Sequence, residues 1–200
     1  MDPVGVDPID MAITPDGSTA YVVNSSDGTL TPIPLATGAP GAPMTVGDPG
    51  YPCAIAATQD GTTAYVLSGG TNGDTLTPVA LAEDPAQDAV ERAISVARPI
   101  DATMIAITPD GHSAFIAGPD GASQVALPSG RLLWSTTQLG YTALAITPDG
   151  STAVLAAPST FQGPPGALTL VSVTDSAPIG SIPLDGQAVA VGFPSSAGSS

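Results

Sequence analysis

The residues of this chain able to do chemistry are mostly aspartates, and four of them recur inside one phrase. It reads Ile13-Thr14-Pro15-Asp16-Gly17-Ser18-Thr19-Ala20-Tyr21-Val22 and returns as Ala57-Thr58-Gln59-Asp60-Gly61-Thr62-Thr63-Ala64-Tyr65-Val66. It returns again as Ile107-Thr108-Pro109-Asp110-Gly111-His112-Ser113-Ala114-Phe115-Ile116 and as Ile146-Thr147-Pro148-Asp149-Gly150-Ser151-Thr152-Ala153-Val154-Leu155. A carboxylate becomes an acid–base or metal-binding group when it has partners, and partners are scarce. His112 is the single histidine, Cys53 the single cysteine, and lysine is absent. No His/Cys metal cluster and no Cys/His nucleophile pair can be assembled from one of each. A Ser-His-Asp triad would have to use His112, and no G-x-S-x-G turn occurs. A phosphate loop of the G-x-x-x-x-G-K type needs a lysine. No catalytic residue is assigned. His112 stands where Ser18, Thr62 and Ser151 stand in the other copies and reads as an exposed turn residue. The recurrent aspartates read as turn residues that accept backbone N–H groups.

The phrase itself specifies a β-hairpin. Two short apolar runs flank a turn in which Pro supplies a preset φ and Gly the positive φ that follows. An alternating strand succeeds each hairpin: Thr29–Leu35, Thr75–Leu81, Ser123–Leu127 and Leu168–Val173. Prolines in that third strand lack a donor, which is tolerated toward the outer side of a sheet. A weaker fourth strand comes next, at Met44–Val46, Ala93–Val96, Leu132–Trp134 and Gly180–Leu184. The turn glycines fall at 17, 61, 111 and 150, in steps of 44, 50 and 39. Four strands per period of about 40 residues make one blade of a β-propeller. The expected fold is all-β, with blades of four antiparallel strands over approximately 9–52, 53–102, 103–141 and 142–187. Residues 188–193 read as the start of a further strand, and 194–200 as a Ser/Gly-rich tail or linker. The extra length of the second repeat holds Asp84-Pro85-Ala86-Gln87, which reads as a capped single turn of helix.

Composition narrows the partners. Eighteen acidic residues against three arginines give a formal net charge of −15. Phosphate backbones and anionic headgroups are repelled by such a surface, so nucleic acid is excluded as a partner. No apolar run approaches the roughly 18 residues of a membrane span, so no insertion is expected. Nothing after Met1-Asp2-Pro3 reads as a signal peptide. Cys53, beside Ala54 and Ile55, reads as a small buried hydrophobe.

These repeats resemble the YVTN β-propeller family of bacterial, often surface-associated, proteins. Tyr21-Val22-Val23-Asn24 differs from the name-giving tetrapeptide at one position, and Tyr65-Val66-Leu67-Ser68 keeps its first two residues. The resemblance spans about residues 5–193 and implies an extracellular or cell-surface location. It also implies that the loops from fourth to first strand and from second to third strand share one face around the central channel. The first set carries Asp48, Tyr51, Arg98, Asp101, Tyr141 and Asp185, the candidate ligand-binding residues. The second carries Asn24, Asp27, Asn72, Asp74, Asp120 and Phe161. A protein or carbohydrate ligand is the expected partner, and no cofactor is assigned. A divalent cation such as calcium on the channel carboxylates is the alternative, because some related propellers are lactonase-like enzymes with a channel metal. Family members close with six to eight blades, whereas four hairpins are present here. Three closures are open: part of a larger ring, two copies forming an eight-bladed ring, or four blades closing alone.

Overall fold

The computed structural model describes residues 4–48, 51–69, 73–96, 100–138, 140–158 and 166–184. These form four antiparallel sheets in chain order. Blade 1 contains β1 (Pro8–Ile13), β2 (Thr19–Asn24), β3 (Thr29–Pro34) and β4 (Met44–Thr45). Blade 2 contains β5 (Pro52–Ala57), β6 (Thr63–Ser68) and β7 (Thr75–Ala80). Its outer edge is split into β8 (Ala89–Val90) and β9 (Ile94–Ser95), both paired with β7. Blade 3 contains β10 (Met104–Ile107), β11 (Ser113–Gly118), β12 (Gly121–Ala126) and β13 (Leu132–Thr136). Blade 4 contains β14 (Ala143–Ile146), β15 (Thr152–Ala157), β16 (Gly166–Ser172) and β17 (Ala177–Leu184). The β-propeller architecture expected from the repeats is therefore present. Arg98, Asp185, Asn72, Phe161, the 188–193 segment and the 194–200 tail lie outside the described residues.

Each inner hairpin is closed by side chains as well as by its backbone. Thr14 Oγ1 donates to Asp16 Oδ1 at 2.5 Å, and the same carboxylate oxygen accepts from Ser18 N at 3.0 Å. Thr19 N returns a bond to Thr14 Oγ1 at 3.1 Å. The set repeats with Thr58 and Asp60, with Thr108 and Asp110, and with Thr147 and Asp149. The threonine, given no role in the sequence reading, is thus the acid's partner. His112 donates its backbone N–H to Asp110 Oδ1 at 2.9 Å, and its imidazole adds a minor electrostatic pull on the same carboxylate. The turn glycines 17, 61, 111 and 150 lie at φ between +70° and +72°, where a Cβ is strained.

Proline explains the uneven outer strands. Pro32 O accepts from Gly41 N and Pro78 O accepts from Glu91 N, so both residues turn their missing donor outward. β4 accordingly pairs only with Thr29 and Leu30. β8 and β9 pair with β7 on either side of Pro78. At the same place blades 3 and 4 have Gln124 and Leu170, and their outer strands β13 and β17 run longer. In the second repeat, Pro85–Gln87 forms a 3-10 turn capped by Asp84, whose side chain accepts from Ala86 N at 3.0 Å.

The core lies between blades. Tyr21, Val23, Leu30 and Val46 of blade 1 pack on Ile55, Ala64, Val66 and Val79 of blade 2. Tyr65, Leu67 and Leu76 of blade 2 meet Ala114, Ile116 and Val125 of blade 3. Phe115, Ala117 and Ala122 of blade 3 meet Ala153, Leu155 and Val171 of blade 4. Every blade thus has a forward face for the next blade and a rear face for the preceding one. Polar links cross the same boundaries. Asp10 Oδ2 accepts from Ile55 N at 2.9 Å, and Tyr21 OH donates to Asp88 Oδ2 at 2.5 Å. Cys53 Sγ donates to Leu67 O and Ala102 O, and burial pushes its pKa up to about 11, so it remains a thiol.

Two outcomes follow from the turn. Gly61→Val should destabilise the chain by about 1–3 kcal/mol, read as a lowered thermal midpoint, because a β-branched residue resists the +71° φ. Asp16, Asp60, Asp110 and Asp149 are each held below the ordinary aspartate pKa, first by the threonine hydroxyl and then by the backbone N–H. A carboxyl whose pKa is lowered by folding stabilises the fold above its unfolded value. That contribution is lost as pH falls through the lowered, folded value. Melting temperature should therefore drop below about pH 4, and less steeply in Asp60→Asn.

Candidate functional site

One end of the blades is occupied by the Thr–Asp turns. A groove of about 670 Å³ at that end has Thr14, Asp16, Ser18, Asp60, Thr62 and Glu83 among its lining residues. Two of its three carboxylates, Asp16 and Asp60, and the Thr14 hydroxyl are engaged in closing their own hairpins, whereas Glu83 takes no part in a turn.

The opposite end, formed by the interblade connections, differs between blades 1 and 2. At the end of β2, Asn24 Nδ2 donates to Thr29 Oγ1 at 3.1 Å, to Thr31 Oγ1 at 3.0 Å and to Val4 O at 3.0 Å. Thr31 Oγ1 donates to the same Val4 carbonyl. Blade 2 carries the same threonines, Thr75 and Thr77, in the same register opposite Ser68 and Val66. Ser68 replaces the asparagine and is too short to bridge them. Its Oγ is buried and has no hydrogen-bond partner. The backbone that crosses above is glycine in both blades. A Cβ on Gly5 would fall 2.4 Å from Asn24 Cγ, and one on Gly47 would fall 3.0 Å from Ser68 Oγ. Where the longer amide is lacking, a groove of about 380 Å³ opens. Thr45, Asp48, Tyr51, Ser68, Thr75 and Thr77 are among the residues lining it.

The six sequence candidates therefore separate. Asp48 and Tyr51 meet in this groove, with Asp48 exposed and Tyr51 42% exposed. Asp101 is exposed on the connection before β10, at φ +49°, a left-handed conformation that aspartate tolerates better than most residues. Tyr141 is buried between blades 3 and 4, where burial raises its hydroxyl pKa, and it does not line the groove. Arg98 and Asp185 are among the residues not described.

Asp74 has a structural task that its loop position did not reveal. It is 1% exposed and accepts from Ile100 N at 2.8 Å and Ala102 N at 3.1 Å. Burial raises its pKa against the pull of those two donors. Its contribution runs opposite in sign to that of the turn aspartates, since folding favours its neutral form. It pins the connection that carries Asp101 into blade 3. Among the described residues, no group of three His, Cys, Asp or Glu side chains is placed to hold a metal ion. The channel-mouth cation suggested by the resemblance therefore lacks a ligand set among them.

Comparison with known proteins locates the fold. No family model matches the chain, and no curated protein matches it. Solved structures do. Hydrazine synthase of Kuenenia stuttgartiensis aligns with TM-score 0.74 and 21% identity, over 89% of this chain and 49% of its own. The Cps50 (Swd1) β-propeller domain of Myceliophteria thermophila aligns with TM-score 0.74 and 13% identity, over 98% and 61%. A protein of unknown function from Desulfotomaculum acetoxidans aligns with TM-score 0.68 and 16% identity, over 90% and 59%. The chain spans about half to three-fifths of the lengths of these structures.

Ser68→Asn should transplant the blade 1 amide into blade 2. It is expected to stabilise the chain by about 0.5–1.5 kcal/mol, seen as a raised denaturation midpoint, as it gives Thr75 and Thr77 the partner they lack. Calcium or magnesium at millimolar concentration should leave the melting temperature unchanged. A saturable rise would reveal a cation site.

The four sheets and the likeness to these structures establish a β-propeller fold.

Proposed function

We propose that this chain is a non-catalytic binding module of the YVTN propeller kind, belonging to a secreted or cell-surface bacterial protein. Its ligand is held on the connection face, in the groove between blades 1 and 2. One observation carries the reading: Ser68 stands where Asn24 closes the equivalent position, leaving hydroxyls around an open groove. A half-exposed tyrosine ring beside threonine hydroxyls and a carboxylate suits a ligand with an apolar face and hydroxyl edges. Sugars have that character, with C–H groups to lie on Tyr51 and hydroxyls to donate to Asp48. The acidic surface also discourages anionic competitors. Binding on a rigid scaffold through its variable connections is how repeat architectures ordinarily work.

Amide NMR spectra titrated with neutral cello-, chito- and malto-oligosaccharides test the reading. Saturable shifts are expected at Gly47, Asp48, Tyr51 and Gly69, together with a loss of affinity of about tenfold or more in Tyr51→Ala. Shifts confined to the turn face, or no shifts with any sugar in the panel, would contradict it.

A further inference from the structure

Blade 1 contains a filled counterpart of the groove between blades 1 and 2, and the group that fills it belongs to the chain itself. Asn24 Nδ2 donates to Thr29 Oγ1 at 3.1 Å, to Thr31 Oγ1 at 3.0 Å and to Val4 O at 3.0 Å. These oxygens converge on one nitrogen, and the carbonyl among them can only accept. The position is therefore built around an N–H donor. Blade 2 repeats the surroundings without the donor. Thr75 and Thr77 hold the register positions of Thr29 and Thr31, and Val46 precedes Gly47 as Val4 precedes Gly5. All three residues line the groove, with Ser68 in place of the asparagine. Ser68 is 6% exposed and Thr77 4%, and the Ser68 Oγ has no hydrogen-bond partner. A buried oxygen left unpaired is destabilising, so the groove favours a guest that reaches it. Charge points the same way. Among the described residues that line the groove, Asp48 is the charged one, and no lysine or arginine stands beside it.

We infer that the groove takes an amino sugar, whose primary ammonium group sits where the Asn24 nitrogen sits in blade 1. The inference rests on the sugar-binding reading of the same groove and names the substituent that the sugar carries. An ammonium group has three hydrogens, enough to serve the hydroxyl oxygens of Ser68, Thr75 and Thr77 together. Asp48 supplies the counter-charge, which strengthens the hydrogen bonds of the cation. The ring that bears the nitrogen lies on Tyr51 through its C–H face. A sugar hydroxyl in the same place brings a single hydrogen and no charge. An acetamide likewise brings a single N–H, so neither neutral substituent replaces what Asn24 supplies in blade 1.

Calorimetric titration of the chain with three β-1,4-linked trisaccharides tests it, at about 0.15 M salt to screen distant charges. The three share one backbone and differ only at C2, which carries an amine in the glucosamine trimer, an acetamide in its N-acetylated form and a hydroxyl in cellotriose. The amine form should bind about tenfold or more tighter than either neutral form. Ser68→Asn fills the position with a carboxamide and leaves the net charge unchanged, so it should abolish that preference. Thr77→Val, which removes one acceptor, should reduce the preference and spare cellotriose binding; it also serves if Ser68→Asn fails to fold by circular dichroism. Equal affinities for the three sugars would overturn the inference and leave the sugar-binding reading standing. An amine preference untouched by both substitutions would also overturn it, because the acidic surface as a whole would then be attracting the cation. Binding by none of the three would overturn the inference and the reading beneath it.

Discussion

Apolar side chains on both faces of each sheet are the constraint on which this structure depends. A four-stranded sheet of this size encloses no core of its own. Leu30, Val66, Leu76, Val79, Ile116 and Leu155 become solvent-free only where two blades meet. At about 1.5–3 kcal/mol for each large aliphatic side chain buried, these interfaces are the main favourable term that repetition adds. The same constraint makes an uncovered blade face conspicuous. It also gives the tandem repeats a physical reason, since each new blade completes the interface begun by the one before.

Polar chemistry is divided between local closure and the connections. The Thr–Asp pair satisfies the tight turn of each hairpin and keeps the glycine at its positive φ. Once those carboxylates hold a hydroxyl and a backbone N–H, they are poor candidates for anything else. The connections have no repeated polar pattern, and there the blades differ in what they leave unsatisfied. The Asn24 amide nitrogen bridges both threonines of its blade although its Oδ1 is left without a partner, whereas Ser68 bridges neither and leaves a groove. Asp74 ties its loop to the next blade through two backbone donors. Differences among otherwise equivalent positions, rather than the shared phrase, therefore point to the binding surface.

The fold was legible in the sequence because its determinants are local. Pro15-Asp16-Gly17 and its copies specify a turn within a few residues, and the alternation of Thr29–Leu35 marks a half-buried strand. The sequence alone did not show how the outer strands would break. That depends on the direction in which Pro32 and Pro78 turn their missing donors. The site was less legible. Asp48 and Tyr51 stood among the candidates, but their convergence depends on Ser68, a residue with no chemical signature of its own. Its significance appears only beside Asn24 in the neighbouring blade. Tyr141 was expected at the loops from its place before β14, yet packing between blades 3 and 4 buries it. The Tyr21–Asp88 bond joins residues 67 positions apart, a separation no local pattern reveals.

That neighbouring blades stabilise one another by covering each other's faces can be tested directly by hydrogen exchange, strand by strand, in the chain and in its Val66→Ala variant. Val66 of β6 is fully buried in the cluster that holds Tyr21 and Val23 of β2. The amides of β2, in the blade across that interface, should lose protection along with those of β6. The account would be contradicted if β6 alone lost protection and β2 exchanged as slowly as before.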